Sequence, residues 1–161
     1  MKNVKKTVLA HLAAAIVIAP LAVVGVSGAA SAHNGDVETW RNVATKRCLT
    51  HDGKHKVYTA AQRSCTQGWT ERAIREYSGG QGIYQLAWHV AGKDLLCLDS
   101  SDAGRVYMNP CNKGRYQMWE QIKSSRGWEL TNVATGRVLD STDSGTVYTN
   151  PQNFGPYQHW T

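Results

Sequence analysis

One triplet written three times constrains this chain more than anything else in it: Gln67-Gly68-Trp69, Gln117-Met118-Trp119 and Gln158-His159-Trp160. Around each triplet the match extends further. Copy one has Arg47-Cys48-Leu49-Thr50, Val57-Tyr58-Thr59 and Cys65. Copy two has Leu96-Cys97-Leu98-Asp99, Val106-Tyr107-Met108-Asn109-Pro110-Cys111 and Tyr116, and copy three Arg137-Val138-Leu139-Asp140, Val147-Tyr148-Thr149-Asn150-Pro151-Gln152 and Tyr157. From Asp99 to Asp140, Tyr107 to Tyr148 and Trp119 to Trp160 the offset is 41 residues each time, so copies two and three are in register. Between copies one and two it is 49 from Tyr58 to Tyr107 and 50 from Trp69 to Trp119, so copy one has drifted. A period of this size marks units that cannot bury an apolar face alone and must pack on their neighbours. Three such units can close on one another, whereas an open stack needs capped ends.

Residues 1–32 read as an export signal. Lys2, Lys5 and Lys6 precede an apolar stretch over 7–28, and Ala30-Ser31-Ala32 forms a small-x-small cleavage site. The stretch is nearly long enough to span a bilayer, which makes a membrane anchor the rival reading. Pro20, Gly25, Gly28 and the cleavage site favour removal. The expected processed chain is 33–161, one domain's worth of residues, with repeats at about 33–78, 79–122 and 123–161. No later segment is apolar enough to span, so the expectation is a secreted, extracellular monomer with no stable membrane insertion.

Export makes the four cysteines readable as disulfides, for which three connectivities exist. Cys48 and Cys65 lie in copy one, and Cys97 and Cys111 in copy two. Copy three has Val138 and Gln152 at those places, so a whole pair is missing together. That joint absence favours pairing within repeats, Cys48 to Cys65 and Cys97 to Cys111. Each bridge closes a loop of about 15 residues and contributes roughly 3 kcal/mol on the chain-entropy model. A zinc site would want a close Cys-x-x-Cys pair, which is absent, so no metal is expected.

The local pattern is β throughout. Stretches such as Val57-Tyr58-Thr59 and Val106-Tyr107-Met108-Asn109 are rich in β-branched and aromatic residues and are separated by Gly or Pro. No window of 33–161 keeps a helical period for a dozen residues. Six Trp fall two per copy, Trp40 and Trp69, Trp88 and Trp119, Trp128 and Trp160. With one Phe in the chain, the indoles must supply much of the core.

Three units of about 40 residues, each with Cys-Leu-Asp or its equivalent early and Gln-x-Trp at the end, resemble the ricin B-chain type lectins. The form in copies two and three is most similar to the trefoils of small secreted bacterial lectins and of glycan-binding modules. The resemblance implies an all-β β-trefoil of twelve strands in three pseudo-threefold repeats: a six-stranded barrel capped by three hairpins. It also implies up to one shallow sugar pocket per repeat and no cofactor.

A hexose offers vicinal hydroxyls and one apolar C–H face, so a pocket wants a carboxylate, an amide and an aromatic ring. Copy two offers Asp99, Tyr107, Asn109 and Gln117, and copy three offers Asp140, Tyr148, Asn150 and Gln158. Copy one has Thr50 in place of the aspartate, with Tyr58 and Ala60; a hydroxyl does not replace a charge-assisted acceptor, so no site is expected there. The pattern departs from the family's in two ways. The stacking ring, expected two residues before the second Cys, is instead Tyr107 or Tyr148, with Asn109 and Asn150 at the usual place. Alternation puts both positions on one face, which leaves open which residue stacks. The Asn that precedes the family's Gln-x-Trp is here Tyr116 or Tyr157, which removes one hydroxyl ligand and offers a pocket wall instead.

Each candidate has a plainer reading. The three glutamines suit buried amides satisfying backbone groups, the tyrosines suit strand cover, and Asp99 and Asp140 suit Asx-type turns. His51 and His55 flank Asp52-Gly53, which reads as a solvated turn. There is no Gly-rich phosphate loop, nucleophile elbow or His-Glu-x-x-His helix, and Asp99 and Asp140 in different units cannot flank one glycosidic bond, so no enzyme is expected. Removing three leader lysines from 18 basic residues leaves 15 against 12 acidic. The excess lies in 33–78, with 8 basic and 5 acidic, and no basic stripe suggests nucleic acid. The expected function is reversible glycan binding through copies two and three. The alternative is a trefoil that binds a protein, such as an inhibitor of a hydrolase.

Overall fold

In the computed structural model, which describes residues 34–89 and 95–161, the chain is built from eleven short strands. The expected leader, 1–32, lies outside the described residues. Repeat one contributes β1 (Val37–Glu38), β2 (Cys48–His51), β3 (Val57–Ala60) and β4 (Trp69–Glu76). Repeat two contributes β5 (Gly82–Trp88), β6 (Leu96–Ser100), β7 (Val106–Pro110) and β8 (Trp119–Ser124), and repeat three β9 (Gly127–Asn132), β10 (Val138–Ser141) and β11 (Val147–Asn150). The expected count of twelve strands is not met among the described residues, because the C-terminal residues make isolated bridges in place of a twelfth strand. Trp160 bridges both Asn42 and Trp128, and Arg41 and Thr161 exchange backbone hydrogen bonds of 2.7 and 2.8 Å, which closes the barrel.

Every strand pair is antiparallel, with β1, β4, β5, β8 and β9 consecutive around the barrel. The pairs β2–β3, β6–β7 and β10–β11 are the three hairpins. Their tips join in a ring. Thr59 N–H donates to Gly145 O at 2.8 Å, Met108 N–H to His55 O at 2.9 Å and Thr149 N–H to Gly104 O at 2.8 Å, so each hairpin leans on the turn of another repeat. Gly104 and Gly145 have positive φ, and a Cβ on either would lie 2.6 Å from the carbonyl of Thr149 or Thr59. The ring therefore needs glycine at both places.

The core follows the repeat. Trp69, Trp119 and Trp160 are fully buried, and each indole N–H donates to the carbonyl of its own Leu49, Leu98 or Leu139, at 3.4, 2.9 and 3.1 Å. Trp40, Leu86 and Leu130 complete this layer, while Trp88 and Trp128 are only partly buried at its edge. Burying such side chains supplies roughly 1.5–3 kcal/mol each. Both expected disulfides are present, with Cα–Cα separations of 5.4 Å for Cys48–Cys65 and 5.0 Å for Cys97–Cys111. Copy three replaces its bridge with buried Val138 and a polar chain: Gln152 donates to Glu129, whose other carboxylate oxygen lies 3.1 Å from His159 Nε2.

One expectation fails in the turn of repeat one. His51 is 6% exposed rather than solvated, with ring centroids 4.3 Å from Trp88 and 5.3 Å from Trp69, and its Nδ1 accepts from Gly53 N–H. Burial lowers its pKa, against the opposing charge of Asp52. His55 bonds the Met108 carbonyl through Nδ1 at 3.1 Å. The aromatic cluster holds His51, and the ring of hairpin tips holds His55. Neither constraint is readable from the spacing.

Candidate functional site

Strand register brings the sequence candidates of copy two together. Asp99 pairs with Tyr107 and Cys97 with Asn109 across the hairpin, so alternation sends Met108 into the core and leaves Tyr107 and Asn109 half-buried on the outer face. Asp99 is 4% exposed, and its Oδ2 accepts from Gln117 Nε2 at 2.9 Å and Asn109 Nδ2 at 3.1 Å. Its Oδ1 is buried and has no hydrogen-bond partner within the protein.

Gln117 is fully buried and completely engaged. Its amide donates to Asp99 and to Pro110 O, and its carbonyl accepts from Asn112 N–H at 2.8 Å. Its place is therefore behind the aspartate, holding the carboxylate and the following turn. Gln158 repeats every contact: to Asp140 Oδ2 at 3.1 Å, to Pro151 O at 3.0 Å and from Asn153 N–H at 2.8 Å. Of the expected ligand set, these two glutamines reach no free surface.

Asp99, Ser101, Asp102, Tyr107, Asn112 and Tyr116 line an open pocket of about 220 Å³. Tyr116 is its outer wall, fixed by a 2.8 Å bond from its hydroxyl to Asp102, and that bond raises the phenol's pKa. Tyr107 donates weakly to Ser100 O at 3.4 Å, and burial followed by the charge of Asp99 pushes its pKa up. Both phenols thus keep their protons at neutral pH. In copy three Tyr157 bonds Asp143 in the same way, at 3.1 and 3.2 Å. Burial raises the pKa of Asp140 above the ordinary carboxylate value, opposed by bonds from Gln158, Ser141 N–H, Asn150 and Tyr148. Its Oδ1 is tied to Ser141 N–H at 2.7 Å, a contact that Asp99 does not make.

Several residues of this site were missed in the sequence reading. The side-chain oxygens of Asn112 and Asn153 accept from Gly114 and Gly155 N–H and shape the turn. That turn is further held from another repeat. Asn132 Nδ2 donates to Tyr116 O, and Asn42 Nδ2 to Tyr157 O, each at 2.7 Å. The signal was present: Asn42-Val43-Ala44-Thr45 recurs as Asn132-Val133-Ala134-Thr135, outside the segments aligned on Gln-x-Trp.

Copy one brings nothing equivalent together. Thr50 is buried, Gln67 is half-exposed and donates only to neighbouring Gly68 O, and no short 3-10 turn precedes Trp69 as one does at Arg115–Gln117 and Pro156–Gln158. Among the described residues no counterpart of the Tyr116 wall stands beside Thr50, and Tyr58 and Ala60 line instead an open groove of about 340 Å³ with Arg47 and Lys56.

A model of the ricin-type beta-trefoil lectin domain matches residues 36–160. Among curated proteins none matches. Solved structures match in fold. The designed threefold-symmetric protein ThreeFoil is 18% identical with a TM-score of 0.60, over 77% of this chain and 95% of that one. A Polyporus squamosus lectin, solved with a human-type influenza-binding epitope, is 15% identical with a TM-score of 0.60, over 80% of this chain and 49% of that one. An exo-beta-1,3-galactanase from Clostridium thermocellum is 16% identical with a TM-score of 0.58, over 77% of this chain and 29% of that one. The chain thus spans about half of the lectin and under a third of the galactanase.

Proposed function

The chain belongs to the ricin-type β-trefoil lectin family, and from that premise we propose that it is a secreted carbohydrate-binding protein. It holds glycans reversibly in copies two and three, and copy one binds none. One observation carries the reading: Asp99 lies in an open pocket between Tyr107 and Tyr116, clamped through Oδ2 while Oδ1 has no donor in the protein. A buried acceptor without a partner costs about 1–3 kcal/mol, and a sugar hydroxyl supplies the donor. Asn109 and Asn150 offer amides beside it, and Tyr107 and Tyr148 offer a ring for the sugar's C–H face. Gln117 and Gln158 act by orienting the carboxylates.

The protein binds without chemistry. The two aspartates stand in different repeats, so they do not form a carboxylate pair flanking one glycosidic bond. Two disulfides suit an oxidising compartment, and the leader over 1–32 suits export to it. Shallow pockets bury few ligand atoms, so a single site should bind a monosaccharide with Kd about 1 mM, or about 4 kcal/mol. Two such pockets on one rigid domain raise retention on a polysaccharide by about a hundredfold. Titration with monosaccharides, a glycan array and candidate hydrolases tests this. Weak two-site sugar binding with strong polysaccharide retention is the expected result, and tight one-to-one binding to a hydrolase with no glycan retention would replace it with the inhibitor reading.

A further inference from the structure

Resting on the lectin reading, we propose that each sugar site continues past its tyrosine onto a basic side chain from the neighbouring repeat, so that the preferred ligand is a glycan bearing an anionic group on the adjacent sugar. The hairpins touch through single β-bridges, Lys56 to Tyr107, Arg105 to Tyr148 and Thr146 to Tyr58. Lys56, Arg105 and Thr146 are equivalent residues, 49 and 41 positions apart, and partners in an antiparallel bridge project to the same face. Thus the two repeats that keep the aspartate face a cation across the bridge, and the repeat that lost it faces a threonine.

In copy two the two halves are continuous. A groove of about 540 Å³, lined by His55, Lys56, Arg105, Tyr107 and Asn109 among others, shares Tyr107 with the Asp99 pocket. The cations are not neutralised: among the described residues the one ion pair within 4 Å is His159 with Glu129. Lys56 Nζ instead lies 5.5 Å from the centre of the Tyr58 ring. An anion could not share the first pocket, because Asp99 and Asp102 line it and repel like charge. One sugar further along, over Tyr107, it meets Lys56 and Arg105.

The test uses the full chain and three neutral hexans, a β-galactan, a mannan and a β-glucan, each compared with forms of the same polymer partly oxidised to carboxylates or partly sulfated. Exposed ion pairs support up to about fivefold per site, so at least one acidic form should be retained about tenfold better than its parent, and less so as NaCl rises. The double variant Lys56→Gln/Arg105→Gln should bring the ratio of acidic to neutral retention towards one, whereas Asp99→Asn/Asp140→Asn should weaken both forms together. Whether carboxylate or sulfate gives the larger gain identifies the anion. A wild-type ratio near one, a ratio that survives the double variant, or an equal fall on changing the remote Arg75 to Gln would overturn the proposal while leaving neutral binding, and hence the lectin reading, in place. Retention of no form at all would overturn both.

Discussion

Repeat one and the later repeats share one sequence pattern, and they differ in more than the aspartate. In repeats two and three five residues separate Cys111 from Gln117 and Gln152 from Gln158, but only one separates Cys65 from Gln67, so repeat one lacks the turn that carries Asn112 and Tyr116. It also lacks support from outside. Asn132 lies opposite Trp119 and Asn42 opposite Trp160, and each holds the neighbouring turn. The pairing of Thr70 with Ala87 carries Trp88 to the corresponding place against Trp69, where an indole that packs on His51 replaces the amide. The candidate site is thus assembled from two adjacent repeats, and repeat one has neither half.

The largest expected effect of this divergence is on stability. Two residues after the closing tryptophan, repeat two has Gln121 and repeat one has Glu71. Both are fully buried and joined at 2.7 Å, and Glu71 Oε2 and Gln121 Oε1 have no partner. Burial raises the Glu71 pKa from 4.5 to about 7. The Gln121 bond opposes the shift, and the charges of Glu38 and Asp36 add to it. The folded state therefore keeps a proton that the unfolded state releases. The stabilisation is complete below the unfolded pKa of about 4.5 and is lost as pH rises through about 7, a change of about 3 kcal/mol. Glu71→Gln copies repeat two and should abolish that slope. Urea unfolding at pH 5 and pH 8 checks it, and a wild-type protein equally stable at both would refute the assignment.

Sugar binding should divide the repeats next. Asp99→Ala or Asp140→Ala each removes a charge-assisted acceptor and should weaken its site by about 1.5–3 kcal/mol, while Thr50→Ala leaves affinity unchanged. Isothermal titration with near-ultraviolet dichroism as a fold control makes the comparison. Equal losses at Thr50 and Asp140 would restore repeat one as a site.

Much of this was legible in the sequence because the repeat compares the chain with itself. The 41-residue register and the jointly missing cysteines pointed to three packed repeats and to the two disulfides without any distance, the resemblance to the ricin-type lectins supplied the trefoil, and the missing aspartate set the expected ranking of the sites. The glutamines were harder. Gln-x-Trp names a residue but not its direction, and only the bonds to Pro110 O and Asn112 N–H show Gln117 facing inward. Asn42 and Asn132 were harder still, since their partners are 115 and 16 residues away and belong to another repeat. Contacts between repeats have no local period to announce them.

Those asparagines give the third comparison. Asn132→Ala lies in repeat three but should weaken site two, because Tyr116 loses its backbone anchor. Asn42→Ala should do the same to site three from repeat one. Loss of one neutral hydrogen bond predicts about 1 kcal/mol in each case. Each variant is measured against an Asp99→Ala or Asp140→Ala background, which leaves one site to report. If Asn132→Ala weakened site three and spared site two, the interlock would be wrong.

The smallest effect is the sharpest test of what repeat one has lost. If the aspartate alone made a site, Thr50→Asp would create a third. The surroundings argue otherwise. Thr50 is 6% exposed and pairs with Tyr58 as Asp99 does with Tyr107, but Gln67 points elsewhere and no Asn112 or Tyr116 equivalent stands beside it. A carboxylate placed there would be buried without an amide to hold it, which should cost about 1–3 kcal/mol of stability and raise its pKa. Sugar stoichiometry should stay at two. Restoring the site should take the four missing residues before Gln67 and Trp88→Asn as well as the aspartate. A third binding event in the Thr50→Asp protein alone would show that the aspartate is sufficient and that the neighbouring repeat is dispensable.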